Sequence, residues 1–154
     1  MATVTDIRIA TLCTLVLYVK FIVCLFIQGS SKFTAGTRAP EDMAFARANP
    51  NQQAFTTATD PAELQAAKDN ENRWNRIVGN DMENLPFGIL LAWVSIIAGG
   101  NGTATSVFFI VFTICRIIHS VAFAKGVFLP RTAAWQIALL CNIGLAITAV
   151  VGAF

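Results

Sequence analysis

Charged side chains make up only 13% of this 154-residue sequence, against about 25% in an ordinary soluble domain. With 55% hydrophobic residues and a mean hydropathy of +0.61, a soluble body this small would carry large apolar surface patches. The composition therefore points to lipid. Eleven Lys and Arg against nine Asp and Glu leave a net charge of +2. So apolar and balanced a chain lacks the signature of disorder, and it has no basic excess that would make nucleic acid its principal partner.

Histidine occurs once, at His119, which excludes a multi-histidine metal site within one chain. The four cysteines, Cys13, Cys24, Cys115 and Cys141, show no CxxC or other metal spacing. All four lie in apolar stretches and read as small buried hydrophobes, so no metal is expected. Gly99-Gly100-Asn101-Gly102 is rich in glycine, but no strand pattern precedes it and no lysine follows. That excludes a phosphate loop and leaves a turn between antiparallel helices. Internal repeats and low-complexity tracts are also absent.

What is present is four apolar segments, at 7–29, 85–98, 104–124 and 132–154. Crossing a hydrocarbon core of roughly 30 Å takes about 20 helical residues, and the first, third and fourth segments suffice. The second is an apolar run of 14 residues. It either stays short or extends upstream through Arg76, Asn80, Asp81 and Glu83, carrying polar groups to a depth where they need partners. The expected architecture is an all-α integral membrane protein: one domain over 1–154, a four-transmembrane-helix bundle with spans near 7–29, 76–98, 104–124 and 132–154, and a loop over 32–75.

Lys32, Arg38, Arg47, Lys68, Arg73 and Arg76 precede the second segment, and Lys125 and Arg131 separate the third from the fourth. The positive-inside rule places both loops in the cytoplasm. Residues 7–29 are too long for the core of a cleaved signal peptide and read as a retained span. Asn101-Gly102-Thr103 is a glycosylation sequon, set too close to the membrane to be modified. Asp60-Pro61-Ala62-Glu63 supplies an N-cap, a proline at the first helical position and an acid three residues after the cap. A helix is predicted to start there and run on into the second segment, whereas residues 43–59 show no periodicity and read as loop.

Two polar stripes carry the functional reading. Arg73, Arg76, Asn80 and Glu83 are spaced three, four and three, which places them on one helix face; Arg116, His119, Ser120 and Phe123 share a face of the next helix. Arg116 lies at a depth matching Glu83, so Glu83 or Asp81 is its natural counter-ion. The simplest reading is a set of interhelical ion pairs that fix the bundle. Yet arginines outnumber what two acids can neutralise, which predicts an anionic ligand held by guanidinium forks. A second, apolar substrate could reach such a site through the bilayer.

The run Arg73-x-x-Arg76-x-x-x-Asn80-Asp81-Met82-Glu83, then Pro86-Phe87 and Arg116-x-x-His119-Ser120-x-Ala122, resembles the signatures of the MAPEG family, membrane-associated proteins in eicosanoid and glutathione metabolism. Lys20, Lys32, Pro40-Glu41-Asp42 and Pro130-Arg131 extend the likeness over nearly the whole chain. The resemblance implies a homotrimer of four-helix subunits in the endoplasmic reticulum or a mitochondrial membrane, with glutathione bound between subunits on the cytoplasmic side. It further implies that Arg73, Arg76, Asn80, Glu83, Arg116, His119 and Ser120, with Lys32 of an adjacent subunit, hold the tripeptide. Arg131 and Thr132 would stabilise its thiolate, and Asp42 would assist. The expected activity is that of a glutathione transferase or peroxidase, or an isomerase of the prostaglandin E synthase kind, on a lipophilic small molecule.

The sequence departs from that pattern in places. Phe123 stands where a tyrosine is expected, Val78 and Gly79 replace a histidine and a commonly basic residue, and Trp135 replaces another tyrosine. One residue fewer separates Glu83 from Pro86, which turns the helix by about 100° below that point unless a proline kink absorbs it. The lost tyrosine and the long polar loop suit the alternative of a non-catalytic structural subunit in a larger membrane complex.

Overall fold

A computed structural model describes residues 2–42 and 60–154, all helix and short turns. The stretch 43–59, expected as loop, lies outside the described residues. Among the described residues four long helices follow one another: α1 (Val4–Ala35), α2 (Pro61–Ile97), α3 (Gly102–Ala124) and α4 (Phe128–Ala153), and a 3-10 turn at Pro40–Asp42 follows α1. Contacts divide the chain into two compact units, one formed by 1–21 with 79–154 and the other by 22–78.

Local chemistry sets the helix ends. Thr3 and Asp6 cap α1 reciprocally: the Thr3 amide donates to the Asp6 carboxylate at 2.8 Å and the Asp6 amide to the Thr3 hydroxyl at 3.3 Å. At the predicted start of α2, Asp60 accepts from the Glu63 amide at 2.8 Å, and the helix runs unbroken into the second apolar segment with Pro86 inside it. The α2–α3 turn needs Gly99, whose φ of +80° only glycine adopts freely. Asn101 then caps α3 by accepting from the Ala104 amide at 3.0 Å, so the sequon asparagine is engaged in the fold.

By length and composition α1, α3 and α4 can each cross a membrane. α2 falls short because Asn80, Asp81, Glu83 and Asn84 interrupt its apolar half.

In the unit of 1–21 and 79–154, parts of all four helices enclose one core, with Leu17, Leu85, Ala92, Phe109, Phe112, Ala138, Cys141 and Leu145 all buried. Two glycines make room for rings: a methyl group on Gly88 would stand 2.3 Å from the Phe112 ring, and one on Gly144 2.7 Å from the Phe108 ring. Away from the charged residues, Ser95 of α2 shares a hydrogen bond of 2.7 Å with Thr105 of α3 and donates to Thr148 of α4 at 3.0 Å. Ser106 of α3 donates to Asp6 of α1 at 2.8 Å. In lipid such polar contacts hold helices whose apolar faces have no preference for one another over acyl chains.

The unit of 22–78 joins the second half of α1 to the first half of α2. Gln28 donates to Asn75 across the pair at 2.9 Å. Past the end of α1, Arg38 pairs with Asp42 at 2.6 Å and lies 4.0 Å over the Phe33 ring.

Candidate functional site

The site grows from a buried seam of α2 at spacings of three and four, in which Ile77, Asp81, Leu85, Gly88, Ala92 and Ser95 all turn inward. Asp81 is the one charged member, and its side chain is fully buried. Its Oδ1 accepts from Arg116 Nη2 at 2.5 Å, and its Oδ2 pairs with Lys20 Nζ. Three helices thus meet through one carboxylate. Arg116, also fully buried, donates in addition to Asn80 Oδ1 at 2.8 Å. The two cations and one anion leave the cluster one positive charge in excess.

That arrangement leaves polar atoms over. Arg116 Nε and Nη1, His119 Nε2 and the Ser120 hydroxyl are buried and without a hydrogen-bond partner among the described residues. His119 Nδ1 lies 3.1 Å from the backbone carbonyl of Arg131. A carbonyl only accepts, so Nδ1 carries the proton and Nε2 of the neutral ring is a bare acceptor. Asn80, His119, Arg131, Thr132 and Trp135 line a cavity of about 220 Å³. The Arg131 guanidinium lies 4.7 Å from the centre of the Phe123 ring and 5.5 Å from that of Phe128. Phe123 in turn meets His119 edge-on at 5.8 Å. Asp81 also borders a more apolar recess of about 280 Å³ between α1 and α2, walled by Leu17, Tyr18, Phe21, Leu85 and Pro86.

The profile of the MAPEG family matches residues 9–151. The chain belongs to the MAPEG family. This family includes glutathione-dependent enzymes among others, and its members are often oligomeric. A search of curated proteins finds no match.

Of the residues that the MAPEG resemblance singles out, Asn80, Arg116, His119, Ser120, Arg131 and Thr132 all lie in the unit of 1–21 and 79–154. Five of them line the cavity or bond to a residue that does, and Ser120 adjoins His119 on α3. Glu83 is exposed on α2 and makes no ion pair with Arg116, whose acid is Asp81. Lys32, Asp42, Arg73 and Arg76 belong to the unit of 22–78. There Lys32 occupies the last turn of α1, Asp42 is held by Arg38, and Arg76 is exposed.

Sequence reasoning missed three features of this MAPEG site. The first is Lys20 as second cation on Asp81; the signal was a lone lysine in an apolar helix, which must find an acid. The second and third are the aromatic neighbours of Arg131. Phe128 lies three residues before it, within one helical turn, a spacing that could have revealed the contact. Phe123 was legible only as the absence of a tyrosine hydroxyl.

Proposed function

We propose that this MAPEG protein is a glutathione-dependent membrane enzyme that acts on a lipophilic electrophile or hydroperoxide, or isomerises an endoperoxide. In this reading α2 provides the fourth crossing and the subunits form a homotrimer. The exposed Arg76 and Glu83 of one copy, with Arg73 and an adjacent copy's Lys32, complete the site at the cytoplasmic face of an internal membrane. The observation that carries it is the fully buried Arg116, of whose three guanidinium nitrogens only Nη2 is engaged, with Nε and Nη1 left over. Buried donors without acceptors are costly, and a carboxylate-bearing ligand satisfies them. The donor set fits glutathione, which offers two carboxylates for arginines and an ammonium group for Glu83.

Bound glutathione supplies a thiol whose ionised form is a nucleophile. Arg131 and Thr132 donate toward the sulfur and favour its anion, lowering an ordinary thiol pKa of about 8.5 toward neutrality. Asn80 and Arg116 orient the tripeptide, and His119 anchors the Arg131 backbone while presenting Nε2 as an acceptor. Asp42 is assigned an auxiliary part. The apolar recess beside Tyr18 and Phe21 offers room for a greasy substrate group.

A second reading, a catalytically silent structural subunit, draws support from the Lys20–Asp81–Arg116 cluster, which ties three helices together without any ligand. Glutathione binding to the detergent-purified protein separates the two. The parent is expected to bind saturably. Arg116→Ala is expected to lose binding with its oligomeric state intact, and Arg131→Ala to keep binding but lose the ultraviolet band of the thiolate. Absence of saturable binding by the parent overturns the enzyme reading and leaves the structural one.

A further inference from the structure

Arginine is a long side chain with many rotamers, and a catalytic guanidinium is effective only if it already points at the place where charge develops. A carboxylate partner would hold Arg131, but it would also cancel the charge and occupy the donors. No ion pair to Arg131 is present among the described residues. Its neighbours are two rings, Phe123 near the end of α3 at 4.7 Å and Phe128 at the start of α4 at 5.5 Å. Both are inside the roughly 6 Å over which an aromatic face attracts a cation. The backbone is fixed as well, by His119 Nδ1 on the Arg131 carbonyl, and His119 packs edge-on against the same Phe123 ring. Phe123 is half-buried.

We propose that Phe123 and Phe128 are positioning residues that clamp the Arg131 guanidinium by cation–π contact in the lining of the His119–Thr132 cavity. The clamp holds the charge in place while leaving it whole and its N–H donors free for an anionic sulfur. This inference rests on the glutathione reading of Arg131 for its functional consequence, but the clamp itself is a property of the ligand-free protein. It gives Phe123 a task that its ring performs without a hydroxyl.

The test is a series of progressively fluorinated phenylalanines at position 123 of the full-length protein in detergent. Fluorination drains the negative face of the ring while barely changing its size, so a purely packing role is not affected. Two readouts are followed. In the ligand-free protein, the Arg131 Nε–H nuclear magnetic resonance signal is expected to be ring-current shifted in the parent. It should move toward the free-arginine position along the series and in Phe123→Leu. With glutathione added, the fraction present as thiolate at a fixed pH near the titration midpoint is expected to fall about two- to fivefold across the series, with glutathione affinity unchanged. Phe123→Tyr and Phe123→Trp, which keep an electron-rich face, should retain the thiolate; Phe128→Leu should lower it. An Arg131 signal in the ligand-free protein that does not respond to fluorination overturns the clamp and leaves the glutathione reading standing; a signal that moves beside an indifferent thiolate band overturns the positioning role. A shifted Arg131 signal that fluorination moves, in a parent that forms no thiolate, upholds the clamp and overturns the glutathione reading instead.

Discussion

Asp81→Asn changes no volume and removes one charge from beneath two buried cations. In the parent, Lys20, Asp81 and Arg116 sum to one positive charge; in the variant the same space holds two, facing a neutral amide. The side chains of Asp81 and Arg116 are 0% exposed and that of Lys20 is 11% exposed, so water does little to screen the repulsion. Removing one partner of a buried ion pair costs about 3–5 kcal/mol, chiefly because the remaining charge is left without compensation. For a chain of this length each kcal/mol moves the unfolding midpoint by about 2–4 °C, so a fall in Tm of roughly 6–20 °C is expected. The assay is thermal unfolding in detergent followed by tryptophan fluorescence, in which Trp93, hydrogen-bonded to Thr14 at 3.1 Å, reports on the α1–α2 contact. Adding Lys20→Met to Asp81→Asn returns the cluster to one positive charge, so the double variant should lose less than the two single losses added. A single variant that melts with the parent would refute the assignment of Asp81 as the acid that holds Arg116.

Gly88→Ala is expected to cost about 1–3 kcal/mol, because the new methyl meets the ring of Phe112, itself fully buried with nowhere to move. Gly79→Ala has nothing within 4 Å of the added methyl and should gain about 0.5–1 kcal/mol of helix stability; a loss there equal to that at Gly88 would show that steric fit is not the cause. Ser95→Ala removes the hub between Thr105 and Thr148. Hydrogen bonds between membrane helices average about 0.6 kcal/mol and reach about 1.7, so denaturant titration should show a small but resolved loss, and a loss as large as that of Asp81→Asn would count against this estimate.

Much of this structure was written in short stretches of sequence. Asp60-Pro61-Ala62-Glu63 predicted the start of α2 because capping is local chemistry, and Gly99-Gly100-Asn101-Gly102 predicted a turn for the same reason. The counter-ion of Arg116 was legible only as a choice. Depth along the helix left Glu83 and Asp81 equal, and the stripe through Arg73, Arg76 and Asn80 favoured Glu83. Helical spacing says which residues share a face, but the neighbouring helices decide which face turns inward. The answer lay in a second periodicity, the seam from Ile77 through Leu85 to Ser95, where Asp81 is the single charged member. Phe123 shows the limit from the other side. Comparison with a family pattern registers the lost hydroxyl, whereas the contact with Arg131 depends on how α3 and α4 meet across the turn between Ala124 and Phe128, which no spacing within one helix encodes.

The charge cluster also bears on how the protein enters the membrane. α1 and α3 are apolar enough to partition into lipid unaided, yet each brings a cation, and a charge near the middle of a lone helix costs about 2.5–3.5 kcal/mol or more on insertion. Asp81, the acid that pairs with both, sits on α2, the helix least able to enter lipid by its own composition. Each helix therefore supplies what the others lack: α1 and α3 bring the cations, and α2 brings the carboxylate that pairs with both. On the proposal that α2 provides the fourth crossing, insertion and assembly become one cooperative event.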